Sequence, residues 1–315
     1  QLVCAQLERV AGCDVAVEDG GGSAAEEGGL LMPIPVTVVI PTYNAGEAFR
    51  ENAEMLLKQT ADIKTVLIID SSSNDSTVAI CNDYGFAVEV IPKEDFGHGK
   101  TRQYALEKAD TDIVVFMTQD ALLADEYAIE KLVGFLIGDE EIAAVCGRQL
   151  PYPNTGALGS FARFFNYPDK SRVNVFADRK GKGIKTAFLS DSFAAYKKTL
   201  LMKIGGFPKG VNFGEDMYVA AKFLMSGYKT GYCAEAQVYH SHDYSIMQDY
   251  ERSKMIGAFH KQEPWLLKAF GKAEGEGVKF VLAEAKWLIQ RGLHLTIISA
   301  FVHNVVKFIG YKRGL

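Results

Sequence analysis

From residue 36 onward, short apolar runs alternate with stretches in which apolar residues recur every three or four positions. Val36–Ile40, Thr65–Asp70, Phe86–Ile91 and Ile113–Met117 are β-branched or unbroken apolar segments, as in strands buried on both faces. Between them Glu47–Gln59, Thr77–Tyr84 and Lys100–Lys108 read as helices, and Asp125–Leu136 sets Ile129, Leu132, Val133 and Leu136 on one helical face. Pro41, Gly85 and Pro92 mark the stops. Strands alternating with helices predict right-handed βαβ units in an α/β fold: a Rossmann-like, mostly parallel sheet with helices on both faces.

The second half is less regular. Leu158–Phe165 is apolar and aromatic, and 169–185 reads as a basic loop carrying Lys170, Arg172, Arg179, Lys180, Lys182 and Lys185. That loop is either solvated or a flap that closes over a diphosphate. Ala187–Tyr196 reads as a strand, and a helix opening at Gly214-Glu-Asp-Met217 turns Met217, Ala220, Ala221 and Leu224 inward before Gly227. Met247–Phe259, Val278–Gln290 and Leu295–Ile309 complete a helical C-terminal region. The chain thus divides into three segments: a flexible, foreign-looking tail over 1–32 (with a short helix over Leu2–Val10 as the alternative), an α/β domain over 33–250, and the helical region over 251–315.

In an open α/β sheet, ligands bind beyond the carboxyl ends of the strands. Polar clusters collect there: Pro41-Thr-Tyr-Asn44, Asp70-Ser-Ser-Ser-Asn-Asp75, Phe96-Gly-His-Gly-Lys-Thr-Arg102 and Thr118-Gln-Asp-Ala121. Asp120, just past the Ile113 strand, is a carboxylate able to hold a divalent cation and through it a diphosphate. Each cluster has a bland alternative: Asp120 starting a turn, Asp75 capping a helix, Arg102 lying on a solvated helix face. Neither a Gly-x-Gly-x-x-Gly turn nor a phosphate-loop motif comes after the first strand, which argues against a dinucleotide fold and a P-loop.

The net charge of -5 gives no support for nucleic-acid binding. The charge is uneven, with +6 over residues 251–315 and -11 over the rest, so the basic end suits an anionic surface such as a bilayer. Five scattered cysteines form no metal knuckle or disulfide framework, which fits a reducing cytoplasm. No signal peptide is legible, and no run reaches the roughly 18 apolar residues of a membrane span.

Val38-Val-Ile-Pro-Thr-Tyr-Asn44, Ile68-Ile-Asp-Ser-Ser-Ser-Asn-Asp-Ser-Thr77 and the Asp120 turn resemble the start of a family 2 glycosyltransferase of GT-A fold. Gly205-Gly-Phe207, Gly214-Glu-Asp-Met217 and Val238-Tyr-His-Ser-His242 match its second half. Phe96-Gly-His-Gly99 with Phe188-Leu-Ser-Asp-Ser-Phe-Ala-Ala-Tyr196 is similar to the bacterial rhamnosyltransferase subgroup, as is Lys307-Phe-Ile-Gly-Tyr-Lys312. The resemblance implies an inverting enzyme that moves L-rhamnose from dTDP-rhamnose to a lipid-linked cell-surface glycan, as a cytoplasmic protein peripheral to the membrane. It implies nucleotide contacts from Pro41, Thr42, Asn44, Asp70, Asp75 and Arg102, and donor-sugar or acceptor contacts from His98 and Asp191. Asp120 and His242 would hold Mg²⁺ or Mn²⁺, and Asp216 would be the catalytic base, with Glu215 its rival.

One departure bears on the metal. The family often presents two carboxylates where Thr118-Gln-Asp120 offers one, so His242 is the expected second ligand and His240 a packed neighbour. A transferase using a UDP-hexose is the nearest alternative. A sugar-1-phosphate nucleotidyltransferase needs a glycine-rich basic first turn, which is absent, and a non-catalytic nucleotide-sugar-binding protein has no need of Glu215 and Asp216 on the rim.

Overall fold

The computed structural model describes residues 34–272 and 275–315. The expectations for residues 1–32, with Cys4 and Cys13, lie outside them. In chain order the strands are β1 (Val36–Thr42), β2 (Ile63–Asp70), β3 (Ala87–Val90), β4 (Ile113–Met117), β5 (Leu122–Leu123), β6 (Ile142–Leu150), β7 (Arg172–Asn174), β8 (Phe193–Lys197) and β9 (Lys229–Tyr239). The helices are α1 (Phe49–Leu57), α2 (Thr77–Asp83), α3 (His98–Lys108), α4 (Ala128–Ile137), α5 (Ala157–Asn166), α6 (Arg179–Lys182), α7 (Lys198–Lys203), α8 (Glu215–Met225), α9 (Ile246–Gln262), α10 (Pro264–Phe270), α11 (Glu276–Gln290) and α12 (Thr296–Gly314).

All nine strands share one sheet of order β3-β2-β1-β4-β8-β6-β9-β5, with β7 added against β9. The first four are parallel, as the βαβ pattern predicts. Beyond β4 the sheet is mixed: β8 runs antiparallel to both β4 and β6, while β6 and β9 are parallel. β4 is buried along its length because helices cover both sides. Val114 and Phe116 enter one core with Leu106, Tyr196, Phe207 and Phe223, while Ile113, Val115 and Met117 enter the other with Ile40, Ile80 and Leu132. A strand so held anchors the residues at its carboxyl end, and Thr118–Asp120 come directly after Met117.

Three expectations shift. Phe193, not Ala187, begins the strand of that region, and Gly183–Ala187 is a helical turn. The basic 169–185 stretch is packed rather than free: β7 pairs with β9, Arg172 lies over the Tyr232 ring at 4.5 Å, and Lys182 pairs with Asp178 at 3.1 Å. The 250/251 boundary falls inside α9, and Pro33–Leu315 is one compact unit.

The C-terminal helices appear where the pattern predicts them, and α12 runs along α9. A Cβ on Gly310 would meet the Tyr250 carbonyl at 2.5 Å, so glycine is what lets the two backbones approach. His303 Nδ1 meets the buried Asp249 Oδ2 at 2.6 Å and ties the same pair of helices. Among the described residues, no helix is long and apolar enough to cross a membrane.

Candidate active site

Two cavities open side by side along the carboxyl rim. One, of about 430 Å³, is lined by Pro41, Thr42 and Tyr43 from the end of β1, Lys93 and Phe96 from the β3–α3 connection, and Gln119. The other, of about 460 Å³, is lined by Asp191, Glu215, Asp216, Arg163, His242 and Tyr244 among others. His98, Arg102, Thr118 and Asp120 belong to both walls. A ligand spanning the two would pass these four residues.

The floor of the first cavity is built by short polar contacts. Thr42 and Asp70 are paired across β1 and β2, and Thr42 Oγ1 donates to Asp70 Oδ1 at 2.8 Å. Asp70 is sealed from solvent, and its oxygens also accept from the Ser73 amide at 2.7 Å and hydroxyl at 2.6 Å. Asp70 therefore braces the loop behind Thr42. Asn44 latches the same two loops, accepting from the Asn74 amide at 3.0 Å while its own amide donates to Ser73. Asp75 accepts from the Thr77 amide at 2.9 Å at the start of α2 and lines neither cavity. Tyr43 and Lys93, which sequence reasoning passed over, meet here: Lys93 Nζ donates to the Tyr43 hydroxyl at 2.6 Å.

Behind the shared wall lies a buried charge cluster. Arg102, expected on a solvated helix face, is 3 % exposed and sits between Asp191 at 3.2 Å and Glu215 at 2.5 Å. Burial alone would weaken its charge, but Glu215, Asp191 and Asp216 outweigh that and raise its pKa. Arginine only donates, so its contact at 3.3 Å to His98 Nδ1 makes that nitrogen the acceptor and leaves the proton on Nε2. Burial, then the Arg102 charge, lowers the His98 pKa and keeps the ring neutral. Asp191 accepts from the Tyr196 hydroxyl, and burial pushes its carboxyl up to about 6.

Asp216, one residue into α8, accepts from the Met217 amide at 2.7 Å. The helix N-terminus predicts an easily ionised carboxylate there. The structure opposes it: although part of the residue opens into the cavity, protein surrounds the carboxylate. Burial, then the neighbouring charges of Glu215 and Asp191, pushes it up to about 8. Glu215 is bound to Arg102, so the two acids of this pair have different environments.

At the mouth, β9 ends at Tyr239 and the chain leaves the sheet, turning the next two histidines toward Asp120. His240 Nε2 lies 3.4 Å from Asp120 Oδ1, His242 Nε2 lies 3.6 Å from Oδ2, and the two nitrogens are 3.1 Å apart. His240, expected only to pack, is buried and also points into this cluster. Gln149 explains how. Its amide nitrogen donates to Ser190 Oγ at 2.9 Å, so its oxygen faces His240 Nδ1 at 2.9 Å, and that nitrogen carries the proton. Nε2 is then the atom turned to Asp120. Burial, then His240, lowers the His242 pKa to about 4, which keeps its ring neutral. Burial works against the Asp120 charge, yet the two imidazoles hold its carboxyl well below the ordinary range. One carboxylate and two imidazoles, with ligand atoms within 4.8 Å of one another, fit a borderline divalent cation such as Mn²⁺.

A rim that carries two adjoining cavities, a candidate cation site and a deep acid cluster, on a sheet of this order, matches a nucleotide-diphospho-sugar transferase of GT-A fold. The chain belongs to glycosyl transferase family 2, whose model matches residues 37–205. It is 43% identical over 281 residues to the O-antigen chain rhamnosyltransferase RfbN of Salmonella typhimurium, covering 89% of each chain. It is 42% identical to the O-antigen chain rhamnosyltransferase WbaN of Salmonella anatum, covering 88% of each. Among solved structures, the mannosyltransferase PcManGT of Pyrobaculum calidifontis, in complex with GDP-Man and Mn²⁺, superposes with a TM-score of 0.62 at 19% identity, covering 89% of this chain and 86% of that one. Residues 1–349 of S. aureus TarS superpose with a TM-score of 0.53 at 16% identity, covering 90% and 92%.

Proposed function

We propose that the chain is an inverting rhamnosyltransferase that moves L-rhamnose from dTDP-L-rhamnose to a hydroxyl of a lipid-linked cell-surface glycan. The observation that carries the reading is the meeting of the two cavities at Asp120, His98, Arg102 and Thr118. The nucleoside enters between Thr42, Tyr43 and Lys93, and the sugar points past Asp120 toward Asp216. The choice of rhamnose rests on similarity to the two Salmonella enzymes over most of the chain.

Asp120, His240 and His242 would hold a divalent cation, which offsets diphosphate charge and stabilises the departing nucleotide. Asp216 takes the proton of the attacking hydroxyl; a base with a pKa near working pH is suited to that task. Arg102 fixes Glu215 and Asp191 around it, and the His98 Nε2–H offers a neutral donor to the sugar.

α12 supports a membrane-facing orientation. Leu295, Ile298, Phe301 and Phe308 are 63–87% exposed, and Lys312 and Arg313 flank them. With net +6 over residues 251–315, the occupant of this face is an anionic bilayer. The test of the function is release of dTDP from dTDP-rhamnose, with and without lipid-linked saccharides extracted from membranes. Acceptor-stimulated release from dTDP-rhamnose is expected. Stimulated release from a UDP- or GDP-sugar alone would replace the donor.

A further inference from the structure

The wall of the catalytic cavity includes Arg102, Arg163 and Arg252, and acids answer only the first. Among the described residues, no carboxylate lies within ion-pair distance of Arg163 on α5 or Arg252 on α9. Arg163 is half-buried: one terminal nitrogen donates to the neutral Gln149 oxygen at 2.7 Å, and its Nε is sealed without a partner. Arg252 is exposed, yet it is not left trailing in water. Its guanidinium lies over the Phe213 ring at 5.3 Å and the Tyr244 ring at 5.6 Å. Ring contacts of this kind hold the charge in place and leave N–H donors free for a ligand.

The acids of the cavity have other partners. Glu215 and Asp191 face Arg102, Asp120 faces the two histidines, and Asp216 accepts from the Met217 amide. Two uncompensated guanidinium groups on one concave wall suit an anion, and their forked donors match phosphate oxygens. The donor is not that anion. Neither arginine lines the cavity assigned to the nucleoside, and the Asp120 cation site is what offsets the donor diphosphate. Arg163 instead also lines a smaller cavity of about 290 Å³ against α12, with Ser299, His303 and Lys307. The two charges thus stand on the side of the cavity that leads to the helix with the outward apolar face. A neutral sugar gives them nothing to neutralise; a phosphate joining that sugar to its lipid does.

We propose that Arg163 and Arg252 bind the phosphate that links the acceptor sugar to its lipid. The acceptor hydroxyl then points to Asp216, and the hydrocarbon runs toward the outer face of α12. The proposal rests on the reading of the chain as a transferase with a lipid-linked acceptor. It adds that the enzyme recognises the charged link as well as the sugar.

The probes are farnesyl diphosphate, farnesol and inorganic pyrophosphate, titrated by calorimetry in EDTA into the wild type, Arg163→Gln and Arg252→Gln. Arg252 is exposed, so its variant keeps the test open if Arg163→Gln does not fold. We expect the wild type to bind farnesyl diphosphate at least tenfold more tightly than either other probe. Each folded variant should lose at least tenfold toward farnesyl diphosphate and nothing toward farnesol. The affinity of Arg252→Gln for dTDP at saturating Mn²⁺ should stay within twofold of wild type. No binding of farnesyl diphosphate to the wild type, or wild-type affinity in the folded variants, overturns the proposal. Pyrophosphate binding as tightly as farnesyl diphosphate overturns it by marking a site for a free anion. An equal loss of dTDP affinity in Arg252→Gln overturns it by assigning the arginine to the donor. Because no sugar is transferred in these titrations, failure of rhamnose transfer by a protein that binds farnesyl diphosphate in this way counts against the donor assignment alone.

Discussion

The Arg102 guanidinium holds Glu215 at 2.5 Å, and both side chains are all but sealed from solvent although 113 residues separate them in the chain. The pair ties the third helix to the helix that carries Asp216. Removing one partner of a buried ion pair leaves an uncompensated charge and costs about 3–5 kcal/mol. Arg102→Met should therefore lower the urea midpoint strongly, and the double variant with Glu215→Gln should recover part of the loss. Equal midpoints for the single and double variants would show that the pair is not coupled.

Gln149 touches no ligand in the proposed reaction, yet it sets which His240 nitrogen faces Asp120. Outer partners of this kind are worth about 10–100-fold in metal affinity. Gln149→Ala should weaken Mn²⁺ binding by that factor, read by calorimetry, and Asp120→Asn should remove metal-dependent dTDP binding. Identical dTDP affinity in EDTA and in Mn²⁺ would eliminate the metal role.

The raised pKa values of Asp191 and Asp216 fix the sign of a stability change with pH. Between the ordinary carboxylate range and about 8, the folded protein keeps protons that the unfolded chain has released. Stability should therefore fall as pH rises across that window. Asp216→Asn removes its share, so in EDTA its Tm should exceed that of the wild type at pH 8 and converge with it near pH 4. Parallel curves would mean that Asp216 titrates as an ordinary surface acid.

Phe301 and Phe308 are each 63% exposed on the outer face of the last helix. Replacing both with Glu removes apolar contact and adds repulsion from anionic lipid, with little effect on the core. Co-sedimentation with anionic vesicles should drop to the level seen with neutral ones while Tm stays within a few degrees. Unchanged sedimentation would locate any membrane contact elsewhere.

The first four strands are legible in the sequence because β-branched runs stand between clear stops. Ile142–Leu150 and Lys229–Tyr239 are not, since alanine, glycine and cysteine fill them. Packing explains the choice: a Cβ on Gly147 would come within 2.6 Å of the Ala236 carbonyl and collide with the Phe193 ring. The tightness that selects small residues also erases the strand signature. The rim residues that converge on the site, Asp120, Asp191, Asp216 and His242, are readable as parts of motifs. Gln149, Arg163 and Tyr244 are not, because their approach depends on how the sixth strand, the fifth helix and the exit from the ninth strand fold together. Asp75 is readable only as an acid near the rim, and the structure uses it on Thr77.

The central claim is that Asp216 removes the acceptor proton. Asp216→Asn keeps the shape and loses the basicity, so under saturating dTDP-rhamnose and acceptor its kcat should fall by roughly 10²-fold or more, the scale of general-base catalysis. Donor affinity should be retained, and Glu215→Gln, which acts through Arg102, should fall less. Turnover of Asp216→Asn within a few-fold of wild type, at full donor and acceptor occupancy, would contradict the account.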